Sequence, residues 1–248
     1  MDAADLLRRH GLPTVGLEPV AGGTVNRTWR TEGHVVRIGD AADHAREAAL
    51  ARHARRIGLA TPRAVAHGAS YSIWERLPGT SAAVFGPVPD ATWDRLLDDL
   101  ERLHRHPLEA RPVDAPTTWR GRTEWVDRTQ ERACWTAAER SSLLRILDAE
   151  RPLRHPAFVH GDAYGGNVLV DGKGCYVAVL DWGCAGWSAL EAECARLEDP
   201  ALVLALERWA SDLDLSLVWA MRLELLLEVT HLGRADAGAV RRALDEAP

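Results

Sequence analysis

Lysine is almost missing from this 248-residue chain: Lys173 is the one example, and the other basic side chains apart from histidine are arginines. A side-chain cation that meets phosphate or carboxylate here is therefore a guanidinium, permanently charged and able to fork onto two oxygens. Paired cysteines are missing too. Cys134, Cys175, Cys184 and Cys194 have neither zinc-site nor redox-pair spacing, which reads as reduced thiols in a cytoplasmic protein. No apolar run is long enough to cross a bilayer. The most apolar stretch, 201–230, is broken by Glu207, Arg208, Asp212, Asp214, Arg222, Glu224 and Glu228, and reads as amphipathic helices. The N-terminal Met1-Asp2-Ala3-Ala4-Asp5 lacks the charged-then-apolar order of a signal peptide. A basic face for nucleic acid is not indicated, since the formal net charge is −6. That mild acidic excess tolerates a cationic partner without requiring one.

What the chain does contain is concentrated in one stretch. Phe158-Val159-His160-Gly161-Asp162 is followed by Ala163-Tyr164-Gly165-Gly166-Asn167-Val168-Leu169-Val170, then by Val177-Ala178-Val179-Leu180-Asp181-Trp182-Gly183. Each half is a β-branched, aliphatic run at whose end an acid stands among turn formers. A turn at Asp171-Gly172-Lys173-Gly174 joins them as a hairpin. Asp162, Asn167 and Asp181 can thereby converge. That trio suits phosphoryl transfer, with Asp162 near an acceptor hydroxyl and Asn167 and Asp181 as hard oxygen ligands for magnesium. The competing reading is an ordinary hairpin with acids in its turns.

At these residues the segment 158–182 resembles the aminoglycoside phosphotransferase and choline kinase-like family, a branch of the protein-kinase-like fold. The resemblance implies that Asp162 is the catalytic base, that Asn167 and Asp181 hold Mg2+, and that His160 is a structural histidine behind the loop. It also implies ATP or GTP as co-substrate.

The rest of the chain has the matching order. A short helix at 2–10 ends at Gly11. Strands follow at 15–20, 26–31 and 34–38, then an Ala/Arg-rich helix at 41–57, then strands at 63–67 and 71–77. Pro78-Gly79 breaks the pattern as a hinge. Helical periodicity dominates afterwards, at 90–106, 122–133, 136–150, 188–197, 200–210, 214–231 and 236–246. The expectation is an α+β, two-lobed kinase-like fold. Residues 1–79 form a small antiparallel-sheet N-lobe, and 80–248 form a mostly helical C-lobe with the catalytic loop and acceptor pocket.

Ala21 to Arg27 lies between two strands, so Gly22 and Gly23 would let backbone N–H groups approach phosphate, with Thr24, Asn26 and Arg27 as added donors. A plain hairpin turn is the competing reading. The family often carries a degenerate Gly-Gly-x-x-Asn-Arg loop at this place. The resemblance also implies a cation on the third strand, and Arg37 stands there. Its implied partner is Glu47 on the following helix, with two solvated surface charges as the alternative; Arg52, Arg55 and Arg56 read as such a face. Glu75, Arg76 and Leu77 match the family's hinge, where main-chain groups meet the nucleotide base.

Past Asp181 the match thins. Many members read Gly-Asp-Pro followed by an acid, where this chain has Ser188-Ala189-Leu190 and then Glu193. Glu191 and Glu193 are candidate contacts to an amine-bearing acceptor, against the reading that they line the outer face of a helix. Trp119, Trp125 and Trp135 fall where the family shapes its acceptor pocket. An indole can cover a sugar ring or a cation, and plain packing is the alternative.

The function expected is transfer of the γ-phosphate of ATP or GTP to a hydroxyl of an aminoglycoside-like or other antibiotic. The alternatives are a metabolite kinase for choline, thiamine, a sugar or an amino alcohol, and a non-catalytic nucleotide-binding module. A protein kinase is disfavoured, because no activation-segment pattern follows Asp181. Neither nucleic acid nor membrane is an expected partner, and the oligomeric state stays open.

Overall fold

A computed structural model describes residues 2–20, 26–40, 42–113 and 115–246. The first elements are α1 (Ala3–Arg9), β1 (Glu18–Val20), β2 (Arg27–Arg30), β3 (His34–Ile38), α2 (His44–Arg56), β4 (Ala64–Gly68) and β5 (Tyr71–Glu75). Then come β6 (Thr80–Ser81), α3 (Ala82–Phe85), α4 (Asp90–Arg105), β7 (Thr118–Trp119), α5 (Glu124–Ala133), α6 (Ala137–Asp148) and β8 (Arg151–Pro152). The last are β9 (Pro156–Val159), a 3-10 turn (Gly165–Asn167), β10 (Val168–Val170), β11 (Tyr176–Val179), β12 (Gly186–Ala189), α7 (Leu190–Arg196), α8 (Ala201–Arg208), α9 (Leu215–His231) and α10 (Ala237–Glu246). An antiparallel N-terminal sheet followed by a largely helical remainder is the architecture read from the sequence.

The chain forms two compact units, one of residues 1–108 with 162–185 and one of residues 109–161 with 186–248. In the first, a five-stranded antiparallel sheet runs β1-β2-β3-β5-β4. Side chains alternate across a strand, so β3 sends Val36 and Ile38 into a core with Ile73 and with Leu6 and Leu7 of α1. The same alternation turns Arg37 to the other face. Helix α2 starts at the N-cap Asp43, whose side chain accepts the Arg46 N–H at 2.9 Å. Its buried stripe is His44, Glu47, Ala48, Ala51 and Ala54, at i, i+3, i+4, i+7 and i+10, so one acid lies on the inward face while Arg52 and Arg56 are exposed and Arg55, expected to be a solvated charge, donates to Thr61 O at 2.6 Å and Glu75 Oε1 at 3.1 Å.

Helix α4 buries Trp93, Leu96, Leu97, Leu100 and Leu103 along one face. From its end of that face Asp99 accepts the Ala60 N–H and the Tyr176 hydroxyl, both at 2.9 Å, tying β11 to the helix. Burial pushes the Tyr176 phenol well above its ordinary value, so it stays a donor to Asp99. The hairpin β10–β11 also pairs with β6, just past the expected hinge. Gly79 is glycine there for two reasons: its φ is 130°, and a Cβ would stand 2.5 Å from the Val170 carbonyl oxygen.

In the second unit α5, α6, α9 and α10 enclose Trp125, Val126, Trp135, Leu143, Leu147, Leu223, Leu227 and Val240. Trimming one of its buried leucines to alanine would cost about 2–5 kcal/mol. Trp125 and Trp135, which the sequence left between ligand and packing, belong to this core. The segment 188–197, expected to be one helix, is divided. Residues 186–189 pair with β9 in the register Trp187↔Phe158 and Ser188↔Ala157, and α7 starts only at Leu190. Strand pairing outweighs the helical periodicity of these residues, a tertiary effect invisible to local pattern.

Candidate active site

The first unit assembles its charged groups from four places in the chain. Arg37, aimed away from the α1 core, donates from one terminal nitrogen to Glu47 Oε2 at 2.8 Å. Its other terminal nitrogen donates to Asp181 Oδ2 at 3.4 Å. The side chains of Arg37 and Glu47 are only 17% and 4% exposed, so the pair is a desolvated bridge rather than two surface charges. Burial pushes the Glu47 carboxyl above its ordinary value, Arg37 pulls it back down, and Asp181 pushes it up again. Gly183 closes the group. A Cβ there would come within 3.0 Å of Glu47 Oε1 and 3.3 Å of Asp181 Oδ1.

Asp181 has a φ of 64°, the left-handed region that costs a non-glycine residue about 1–3 kcal/mol. Its neighbour supplies the anchor. Trp182 is 1% exposed and its indole N–H donates to Thr61 Oγ1 at 2.8 Å. The turn aims the Asp181 side chain at Arg37 and lets its Oδ1 accept the Gly183 N–H at 3.3 Å.

On the other side of the hairpin Asn167 closes a 3-10 turn. Its amide nitrogen donates to both the backbone oxygen and the carboxylate Oδ2 of Asp162, each at 2.9 Å. Its own carbonyl oxygen is thereby turned away from Asp162. The Asn167 backbone oxygen accepts the Leu180 N–H at 2.8 Å, one residue before Asp181, so the two halves of the motif are joined through the main chain. The donor set is one amide oxygen and one carboxylate, which are hard ligands of the kind magnesium takes alongside phosphate and water. Among the described residues no group of three or more His, Cys, Asp or Glu could hold a metal without such help.

The second unit carries the residues leading into Asp162. His160 is fully buried. Its backbone N–H donates to Glu193 Oε2 at 2.6 Å, and the Gly161 N–H donates to Glu193 Oε1 at 3.2 Å. Glu193 therefore holds the backbone immediately before the expected base. This corrects the expectation for two residues. Glu191 and Glu193, read as contacts to an acceptor, are both 0% exposed. Glu191 accepts the Asp214 N–H at 3.0 Å, at the start of α9. Carboxylates with both neighbours apolar, as in Leu190-Glu191-Ala192-Glu193-Cys194, were the available signal for burial.

Of the expected nucleotide residues, Gly22, Gly23 and Thr24 lie outside the described residues. Asn26 is 5% exposed, and neither atom of its side-chain amide has a hydrogen-bond partner. Arg27 is exposed and stacks 5.6 Å over Trp29. At the hinge the Glu75 N–H donates to Arg63 O and the Arg76 N–H to Gly33 O, both at 2.9 Å. The Glu75 carboxylate accepts from Arg63 and Arg55, and the Arg76 side chain donates to Thr31 O. Among the described residues nothing accepts the Leu77 N–H, and Pro78 has none to offer.

Known structures share this arrangement of elements. A macrolide 2′-phosphotransferase from Brachybacterium faecium, solved as the apoenzyme, superposes with a TM-score of 0.66 at 20% identity, covering 100% of this chain and 98% of its own. A choline/ethanolamine kinase family protein from Mesorhizobium loti gives a TM-score of 0.62 at 20% identity, covering 99% and 92%. A spectinomycin phosphotransferase bound to ADP and spectinomycin gives 0.67 at 12% identity, covering 99% and 93%. At these identities the likeness is one of fold. No curated protein sequence matches the chain. The sequence model of the phosphotransferase enzyme family matches residues 16–220, well over half of the chain. The chain belongs to that family, as a small-molecule phosphotransferase acting on hydroxyl groups.

Proposed function

We propose that the protein transfers the γ-phosphate of ATP or GTP to a hydroxyl of an antibiotic-like small molecule, with Asp162 as the base. The observation that carries this is the Arg37 guanidinium standing between Glu47 and Asp181. It would face the α- and β-phosphates, and Glu47 fixes its orientation. Arginine stands where a lysine could serve, the chain's single lysine being Lys173 on the hairpin turn, and its fork reaches two acids at once. Asp162, whose Oδ2 accepts from Asn167, would orient the acceptor hydroxyl and take its proton. With a largely dissociative transition state the proton moves late, so positioning and charge neutralisation carry most of the rate. Magnesium, held by the Asn167 carbonyl oxygen and the Asp181 carboxylate, would neutralise the phosphate oxygens.

Asn26 supports the nucleotide end of this reading. A buried amide without partners is costly, and a phosphate or ribose oxygen arriving there would relieve it. Glycines 22 and 23, Thr24 and Arg27 belong to the same proposed loop. At the hinge the Leu77 N–H is the donor left for the base. The lobe division at Pro78-Gly79, with 1–79 receiving the nucleotide and 80–248 carrying the catalytic loop and acceptor pocket, is part of the same proposal. So is a cytoplasmic setting, supported by four free thiols and by the absence of a membrane-length apolar helix among the described residues.

The class of acceptor is suggested by fold neighbours whose structures are of macrolide and spectinomycin phosphotransferases. The test is incubation of the purified chain with magnesium, ATP or GTP, and a panel of macrolides, aminoglycosides and amino alcohols, read by mass spectrometry. The expected result is one acceptor heavier by a phosphoryl group. Nucleotide binding with no phosphorylated acceptor and no nucleotide turnover would favour the non-catalytic module instead.

A further inference from the structure

The second unit contains a pocket of ≈ 190 Å³ that the catalytic trio does not use. Two tryptophans, Trp119 and Trp187, wall it together with Leu153 and Met221. Thr118 and Ser188 add hydroxyls to the lining, and Arg111 and Arg120 add the charges. Its volume is below the roughly 300–1,000 Å³ of a site that engulfs a drug-sized ligand. It is sized for one ring or branch of a larger molecule.

The walls are fixed in advance. Trp187 donates its indole N–H to Glu109 O at 3.0 Å and meets Phe158 edge-on, with ring centroids 6.1 Å apart. Trp119 lies in the β7–β8 pair, and Gly121 leaves room for its ring: a Cβ at Gly121 would be 3.0 Å from the indole. Walls already held in place lose little freedom when a ligand arrives.

The charges decide which ligand. A tryptophan face would ordinarily attract a cation. Here the Arg151 guanidinium already lies over Trp119, 5.6 Å from its centroid. Arg120 is paired with Asp148, and Arg111 is exposed. The described lining residues include no carboxylate. Among the described lining residues an entering ammonium group would meet guanidinium and no carboxylate, while carbonyl or hydroxyl oxygens at a ligand's edge would find donors.

The chain ties this pocket to the reaction. Pro156 lines it and opens β9, which runs into His160 and Gly161, the residues held by Glu193 just before Asp162.

We propose that this pocket is an acceptor subsite that takes an apolar, oxygen-edged ring or branch and discriminates against polycations. Calling the ligand the acceptor rests on the phosphotransferase reading; the pocket's preference does not. The test is therefore direct binding by calorimetry, without nucleotide, of a macrolide and of gentamicin as probes. Ser188→Trp fills the pocket, and Arg111→Glu, at an exposed position, changes the rim with little risk to folding. The wild type is expected to bind the macrolide more tightly than gentamicin. Ser188→Trp should weaken the macrolide by about tenfold or more, and Arg111→Glu should narrow the gap by improving gentamicin. Equal binding of both probes, no macrolide binding, or macrolide affinity unmoved in both variants would overturn the proposal. Macrolide binding that Ser188→Trp abolishes, in a protein that phosphorylates no acceptor, would keep the pocket and sink the kinase reading. Phosphorylation of an acceptor whose KM ignores both variants would do the reverse.

Discussion

The charged cluster of the first unit and the tryptophan pocket of the second solve different problems with different materials. In the first unit five charged or amide side chains, Arg37, Glu47, Asp181, Asp162 and Asn167, are held by hydrogen bonds at 2.8–3.4 Å, and Asp181 sits in a left-handed conformation. Around Trp119 and Trp187 the walls are mostly apolar and the polar groups lie among them singly. Phosphoryl transfer needs charge at fixed points, because each misplaced group loses transition-state stabilisation. Recognition of an apolar ring needs only shape and the exclusion of the wrong charge. The first arrangement should therefore be brittle toward substitution and the second selective.

The largest effect expected tests the brittle side. Asp162→Ala should cut phosphoryl transfer by roughly 10²–10⁴-fold while nucleotide affinity, measured by calorimetry, changes little. Full transfer by that variant would remove Asp162 as the base.

Next comes the residue that links loop to helix. Glu193→Ala leaves the N–H groups of His160 and Gly161 without their acceptor. At about 1–3 kcal/mol for each stranded group, the loss should be visible as a lower denaturant midpoint together with a fall in kcat. An unchanged midpoint would mean that the carboxylate does not carry the loop.

A smaller effect separates the ion pair from the reaction. Glu47 titrates above the ordinary glutamate value of 4.5, so it becomes protonated at a pH where an exposed glutamate is still ionised. Below that pKa Arg37 loses its charged partner, and above it the pair is intact. The acid limb of kcat/KM for the nucleotide should thus lie above the ordinary glutamate range and vanish in Glu47→Gln. A limb that persists unchanged in the variant belongs to another group.

The smallest effect is a control at residues that belong to neither site. Thr136 and Glu139 form a capping box at the start of α6, with the Glu139 N–H donating to Thr136 at 3.2 Å and the Thr136 N–H to Glu139 at 2.8 Å. Thr136→Ala should cost about 1 kcal/mol of stability and leave macrolide and nucleotide affinity alone. Arg241 and the cap hold the Glu139 carboxyl down at about 2, so its contribution is present above the ordinary 4.5 and lost as pH falls through about 2. Shifts in ligand affinity with Thr136→Ala would show that the two regions are less separable than their contacts suggest.

The sequence by itself determined the local chemistry. The order Asp162, Asn167, Asp181 on a hairpin is written in a run of residues, because turn formers and alternating aliphatic residues act over a few positions. The strand and helix succession of the described part of the first 77 residues was legible for the same reason, as was the exposure of Arg52 and Arg56. Tertiary structure decided what lies far apart in the chain. Arg37 and Asp181 are 144 positions apart and meet in the first unit, where Val179 and Trp182 bond to Ala60 and Thr61. Glu191 and Glu193 looked like surface acids because a charge in a helix usually faces water, and only the strand β9 and the start of α9 show why these two do not. The tryptophan pocket draws on residues between 111 and 221, and no window of sequence contains it. Local pattern sets which way a side chain leaves its strand or helix; which partner it finds there depends on how the whole chain packs.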